Sequence, residues 1–122
     1  MVIKGIGIDL VKIERIKKTV QRWGIRFEKR ILTSKEMEAE QLRKKTKFTY
    51  IAGRFAAKEA IFKSLGFGAS WQDIEILSKE NGKPYATLKG RAKKIAQKRG
   101  IRQIFITLSH NDDYVIAQAV IV

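Results

Sequence analysis

The sequence of 122 residues contains no cysteine, one proline and one histidine. Without cysteine there is no disulfide, no thiolate site for zinc or iron–sulfur clusters and no cysteine nucleophile. No stretch approaches the roughly 18 apolar residues that a membrane-spanning helix needs. The N-terminus also lacks the basic, apolar and small-residue order of a signal peptide. We therefore expect one intracellular domain over residues 1–122, large enough to bury a core.

Acidic residues are also scarce, with 12 Asp and Glu against 26 Lys and Arg, which gives a net charge of +14. A positive excess of this size indicates a polyanionic partner. A nucleic acid, an anionic membrane surface, a phosphate-rich small molecule and an acidic protein all fit the charge. The motifs must decide among them.

The segment from Phe48 to Leu65 predicts a long helix that ends at Gly66. The spacing of its apolar residues places Glu59 inside the stripe that should face the core. A buried carboxylate needs a cation, because its charge is costly without one. Lys63, one turn further on, offers a surface ion pair. A bound metal ion is the functional alternative.

Alternation over Val2 to Val11 predicts a strand with one bulky face. The other face carries Gly5, Gly7 and Asp9, and its two glycines leave room for a close approach to the backbone. Asp9 is a candidate N-cap for the helix that follows, because aspartate is among the preferred N-cap residues. The alternative is a functional carboxylate.

The next predicted helix, from about Lys12 to Trp23, has a basic face beside its apolar one. Glu14 is the only acid between Val11 and Phe27. Such a stripe beside an exposed aromatic is typical of a surface that docks an acidic helix or a phosphate backbone, although solvated helix faces share the pattern. The candidate docking residues are Arg15, Lys18, Arg22, Arg26 and Phe27.

The remaining pattern begins with a capping box at Thr33 to Glu36, which starts another helix. A hairpin, a helix from Gly90 to Arg99 and a second hairpin follow. This order neither alternates nor repeats, so it predicts an α+β domain with an antiparallel sheet and helices packed on it. Lys83 and Pro84 lie at the turn of the first hairpin, and His110 lies at the turn of the second.

Two carboxylates on separate elements, Asp9 and Glu59, can hold a hard ion such as Mg²⁺. The candidates for contact with the remaining phosphate charge are Arg54, Lys63, Lys83 and His110. Two alternatives stay open at this point. One is a basic nucleic-acid-binding module in which Asp9 caps a helix and Glu59 pairs with Lys63. The other is a different Mg²⁺-dependent phosphotransferase or phosphodiesterase.

Four blocks of sequence, in order along essentially the whole chain, resemble the holo-acyl carrier protein synthase family. This family comprises the short bacterial 4'-phosphopantetheinyl transferases. The blocks are Gly5-Ile6-Gly7-Ile8-Asp9-Leu10-Val11, Arg54-Phe55-Ala56-Ala57-Lys58-Glu59-Ala60 with Lys63 and Gly66, Asn81-Gly82-Lys83-Pro84, and Leu108-Ser109-His110. Each block alone is a weak signal, whereas the four together are specific.

The resemblance implies Mg²⁺-dependent transfer of 4'-phosphopantetheine from coenzyme A to a serine of apo-acyl carrier protein, in support of cytoplasmic fatty acid biosynthesis. By the same resemblance, Asp9 and Glu59 bind the metal, with water completing its shell. Lys63 and His110 complete the catalytic set and contact coenzyme A. The general base stays open among Lys63, a carboxylate and a metal-bound water.

The resemblance also implies partners and further site residues. Arg54, Gly66, Lys83 and Pro84 are further candidates for the coenzyme A pocket. The acidic acyl carrier protein is the expected partner of the basic stripe, with no nucleic-acid or membrane partner. A homotrimer with active sites between neighbouring chains is expected as well.

Overall fold

A computed structural model describes all residues 1–122. The chain contains five strands and five α-helices. Strand β1 (Gly5–Lys12) precedes helices α1 (Ile13–Trp23), α2 (Ile25–Ile31), α3 (Ser34–Gln41) and α4 (Lys47–Leu65). Strands β2 (Ile74–Ser78) and β3 (Pro84–Leu88), helix α5 (Gly90–Lys98) and strands β4 (Ile104–His110) and β5 (Tyr114–Ile121) follow. The predicted α+β class is confirmed. Helix α2 is an addition, because the sequence pattern did not predict it.

The strands form two antiparallel sheets, where the sequence predicted one. Three strands pair in the order β1-β5-β4, and β2 pairs with β3 as a separate hairpin. In the larger sheet, Asp9 lies opposite Ala117 of β5, which in turn lies opposite Leu108 of β4. Strand β5 therefore separates β1 from β4.

Helix α4 is the centre of the fold and is covered on several sides. It packs against β1 and β5 on one side and against α1, α3 and β2 on others. Its residues Ile51, Ala56 and Ile61 are completely buried. Gly66 ends the helix with a left-handed backbone (φ 84°), as predicted. No helix of the protein combines the length and the apolar character needed to cross a membrane.

The buried charge of α4 is Lys58, and the prediction that Glu59 lies in the core stripe is wrong. Lys58 is 0% exposed, whereas Glu59 is only half-buried. The Lys58 ammonium donates to Glu36 Oε1 at 2.7 Å, to the Trp71 carbonyl at 3.1 Å and to the Ile31 carbonyl. Burial lowers the pKa of Lys58, and the charge of Glu36 opposes this shift.

Glu36 joins this buried ion pair to two other elements. It belongs to the predicted capping box of α3, which is present. Its Oε2 accepts a hydrogen bond from the backbone N–H of Ile76 in β2 at 2.7 Å. The pair of Lys58 and Glu36 thus fixes α4 against α3 and β2, and with it the rotation of α4 about its own axis. This rotation decides where the next residue, Glu59, points.

Candidate active site

Two glycines bring β1 into direct backbone contact with α4. A Cβ atom on Gly7 would lie 1.9 Å from the carbonyl oxygen of Ala60, and one on Gly5 would lie 2.0 Å from that of Ser64. Any larger residue would push the strand away from the helix. Because side chains alternate along a strand, Asp9 follows Gly7 on the same face and reaches the helix beside Glu59 and Lys63.

Lys63 binds β1 at two points. Its ammonium donates to the carbonyl of Ile8 at 2.9 Å and to Asp9 Oδ1 at 3.1 Å. The side chain of Asp9 is 16% exposed and that of Lys63 is 53% exposed. Lys63 makes no ion pair with Glu59, so the surface-pair interpretation is wrong. The capping interpretation is wrong too, since Lys12 is the N-cap of α1 and no side chain caps that helix.

Glu59 completes a group of two carboxylates and one ammonium at the junction of β1 and α4. Burial raises the pKa of Glu59, the negative charge of Asp9 raises it further, and the positive charge of Lys63 opposes both. The two acids therefore repel each other, and Lys63 relieves only part of that repulsion. A divalent cation held by both carboxylates would relieve it more fully.

The donor set fits a hard divalent ion that keeps part of its hydration shell. Asp9 and Glu59 come from separate elements and offer carboxylate oxygens, which Mg²⁺ prefers. No third Asp, Glu or His joins them in a group able to hold a metal. Water and substrate oxygens would therefore supply the remaining ligands, in line with the expectation from the sequence.

Three predicted site residues lie away from this pair within one chain. His110 is exposed at the end of β4, two strand spacings from β1, which corresponds to roughly 10 Å. Lys83 and Pro84 line a groove of about 310 Å³ between the small hairpin and the larger sheet. The groove borders Phe105 and Thr107, on the sheet face opposite α4.

Arg54, another predicted coenzyme A contact, is part of the core. It is 7% exposed, and burial lowers its pKa. Its Nε donates to the carbonyl of Ile76 and its Nη2 to Ser78 Oγ, each at 3.2 Å. The guanidinium also lies over the Tyr50 ring, 4.3 Å from its centre. These contacts hold β2 against α4, a structural role that the sequence motif did not indicate.

The basic stripe forms one exposed surface on α1, but its aromatic member differs from the prediction. Arg15, Lys18 and Arg22 are exposed and line a shallow concavity together with Trp23. Trp23 is 52% exposed, and the Arg22 guanidinium lies 5.0 Å from its ring centre. Arg26 is exposed as well. The last predicted member, Phe27, instead packs against the core, so Trp23 is the exposed aromatic of this surface.

The matches to known proteins cover nearly the whole chain. The family model of the 4'-phosphopantetheinyl transferase superfamily matches residues 5–119. The chain belongs to this superfamily. Among its relatives in the 4'-phosphopantetheinyl transferase superfamily, the holo-[acyl-carrier-protein] synthase of Caldanaerobacter subterraneus subsp. tengcongensis is 44% identical over 120 residues. That alignment covers 96% of this chain and 93% of the relative.

Solved structures of 4'-phosphopantetheinyl transferases share the fold. The holo-[acyl-carrier-protein] synthase of Neisseria meningitidis matches with a TM-score of 0.91 and 34% identity, covering 99% of each chain. The Helicobacter pylori enzyme, solved in complex with coenzyme A, matches with a TM-score of 0.83 and 36% identity. That match covers 96% of this chain and 99% of the H. pylori chain. The resemblance to the holo-acyl carrier protein synthase family is confirmed, and the chain is an enzyme of that type.

Proposed function

We propose that this enzyme transfers 4'-phosphopantetheine from coenzyme A to a serine of apo-acyl carrier protein, using Mg²⁺ bound by Asp9 and Glu59. The products are holo-acyl carrier protein and adenosine 3',5'-bisphosphate. The carboxylate pair at the contact of β1 and α4, with Lys63 beside it, supports the proposal most directly. The coenzyme A complex of the H. pylori relative supports the donor substrate.

The reaction is a displacement at phosphorus. The serine hydroxyl gives its proton to a base, and its oxygen forms a bond to the phosphorus next to pantetheine. The bond from that phosphorus to the bridging oxygen breaks, and adenosine 3',5'-bisphosphate leaves with the bridging oxygen. Such reactions depend mainly on positioning and on neutralising phosphate charge. Magnesium would supply positive charge at the pyrophosphate. Asp9 and Glu59 would hold it, and the half-exposed ammonium of Lys63 would donate to phosphate oxygens.

The α1 surface is the proposed docking site for the carrier protein. Arg15, Lys18 and Arg22 present positive charge around a concavity in which Glu14 is the only acidic lining residue, and Trp23 adds an apolar contact. A strongly acidic partner would be steered to this surface, with association roughly 10- to 1000-fold faster at low salt. Arg26 extends the same surface beyond Gly24.

A homotrimer would explain why the face of the larger sheet opposite α4 exposes apolar side chains. The β1 side chains Ile6, Ile8 and Leu10 are 65%, 53% and 61% exposed. Phe105 and Ile116 extend this apolar surface onto β4 and β5. Monomeric proteins rarely expose apolar patches of this kind. Copies packed on this face would cover it.

The trimer would also complete the active site. Lys83, Pro84 and His110 do not reach Asp9 and Glu59 within one chain, so we expect them to act from a neighbouring copy. Light scattering in solution tests this assembly. The expected result is three chain masses at micromolar concentration, and a stable monomer would contradict it.

With its carrier protein, the enzyme would serve fatty acid biosynthesis in the cytoplasm.

One assay tests the proposed function. The purified protein is incubated with coenzyme A, Mg²⁺ and apo-acyl carrier protein, and the intact mass of the carrier protein is followed. We expect a gain of one phosphopantetheine, lost on addition of a chelator and restored by excess Mg²⁺. No gain where a known holo-acyl carrier protein synthase modifies the same carrier protein would refute the proposal. Hydrolysis of coenzyme A without transfer would favour a phosphodiesterase instead.

A further inference from the structure

We propose that Lys63 competes with the metal ion for Asp9, so that the enzyme carries its own stand-in cation at the site. When a divalent ion binds the carboxylate pair, the ammonium must leave Asp9, and it then becomes available to phosphate. This inference rests on the proposed function, because it concerns the same metal site.

The contacts of Lys63 are those of a cation bound to the strand. Its Nζ lies 3.1 Å from Asp9 Oδ1 and 2.9 Å from the carbonyl oxygen of Ile8. The Asp9 side chain is largely buried, so water neutralises its charge poorly, and Lys63 is the only cation within ion-pair distance. The Lys63 ammonium thus already has two oxygen partners here, the charged carboxylate of Asp9 and the neutral carbonyl of Ile8.

Asp9 and Glu59 differ in whether they form an ion pair. Asp9 is paired with Lys63, whereas Glu59 forms no ion pair. Glu59 is therefore free to accept a cation, while Asp9 must exchange one cation for another. Because both carboxylates are needed for a two-acid site, the Lys63–Asp9 bond opposes binding of the divalent ion.

The ammonium and a divalent ion cannot both sit close to one carboxylate at no cost. If both stay within about 4 Å, their repulsion weakens binding by at least about tenfold, even with the dielectric constant of water. If the ammonium leaves, it gives up its charged hydrogen bond to Asp9, which weakens binding by about tenfold or more as well. The flexible stem of Lys63 is half exposed and anchored only at α4, so its ammonium can move toward solvent.

Metal affinity in the absence of coenzyme A tests the inference. We would titrate the wild type and Lys63→Met with Mn²⁺ alone, as a probe for Mg²⁺, and follow the free ion by electron paramagnetic resonance. The neutral side chain should tighten binding about tenfold or more. Lys63→Arg keeps the charge and should stay close to the wild-type affinity. Lys94→Met, which removes one positive charge from the exposed face of α5, is the matched control and should leave the affinity unchanged.

Thermal unfolding gives a second measurement that does not depend on activity. Without metal, Lys63→Met should unfold at a lower temperature than the wild type, since Asp9 loses its partner. Added Mn²⁺ should then stabilise this variant more than the wild type. Lys63→Gln is a second neutral variant, and it should behave as Lys63→Met does.

The outcomes separate this inference from the proposed function. If the wild type binds no Mn²⁺ and Asp9→Asn changes nothing, the metal assignment itself fails, and this inference fails with it. If Asp9→Asn abolishes Mn²⁺ binding but both neutral variants bind no tighter than the wild type, only the competition by Lys63 is refuted.

Discussion

The contact of Gly7 with α4 makes a sharp prediction for the substitution Gly7→Ala. The added Cβ would lie 1.9 Å from the carbonyl oxygen of Ala60, whereas ordinary contacts begin at 3.4 Å. Strand and helix would have to separate by about 1.5 Å at this point, the difference between these two distances. The obstructing atom belongs to the backbone of a buried helix, so it cannot rotate away.

Both stability and activity should suffer. Overpacking in a core commonly costs about 1–3 kcal/mol, and we expect the upper end of that range because backbone must move. The shift would also carry Asp9 away from Glu59. A displacement of roughly 1 Å in a catalytic group can cost about 100-fold in rate. We therefore expect a loss of about 3 kcal/mol in the free energy of unfolding, together with a transfer rate about 100-fold lower.

Urea unfolding followed by circular dichroism measures the first effect, and carrier-protein mass gain in the folded protein measures the second. Gly68→Ala is the matched control, because nothing lies within 4 Å of its Cβ position and its φ is not positive. It should change stability by no more than about 0.5 kcal/mol. A Gly7→Ala variant as stable and as active as Gly68→Ala would refute the argument that this glycine sets the site.

Three further substitutions test other parts of the structure. Lys58→Met should cost about 3–5 kcal/mol in urea unfolding, because the buried Glu36 carboxylate loses its cation, and adding Glu36→Gln should recover part of the loss. Burial and the charge of Asp9 raise the folded-state pKa of Glu59, so the folded protein favours the protonated carboxyl. The stabilisation from this proton is full at acidic pH and is lost as the pH rises through the folded-state pKa. Glu59→Gln should therefore raise the melting temperature at neutral pH, with no gain below the ordinary pKa of 4.5; an equal gain at every pH would contradict this. Arg22→Glu should weaken carrier-protein binding and its salt dependence while leaving coenzyme A binding unchanged, and unaltered carrier affinity would remove α1 from docking.

Local signals predicted most helices and strands well. The capping box at Thr33, the end of α4 at Gly66 and the hairpin around Pro84 depend on neighbouring residues, and each is present. Helix α2 was missed because its seven residues are too few to show a clear period. The glycines of β1 were correctly expected to allow a close approach, which turns out to be that of α4.

The burial of individual charges could not be predicted from local pattern. A helical stripe points to a core only when one side of the helix is covered, whereas α4 is covered on several sides. Lys58 is buried because Glu36, 22 residues earlier, meets it in the fold. The roles of Arg54 and Phe27 likewise depend on contacts with distant segments. The pairing of Asp9 with Lys63 is of the same kind, since 54 residues separate them.

Transfer by the two carboxylate variants tests the central claim most directly. Asp9→Asn and Glu59→Gln remove one negative charge each while keeping nearly the same shape, so both should fold as the wild type does by circular dichroism. The intact mass of apo-acyl carrier protein, followed with coenzyme A and Mg²⁺, should show the phosphopantetheine gain with the wild type and none with either variant. Full transfer by either variant, still dependent on Mg²⁺, would contradict the assignment of these two residues as the metal site.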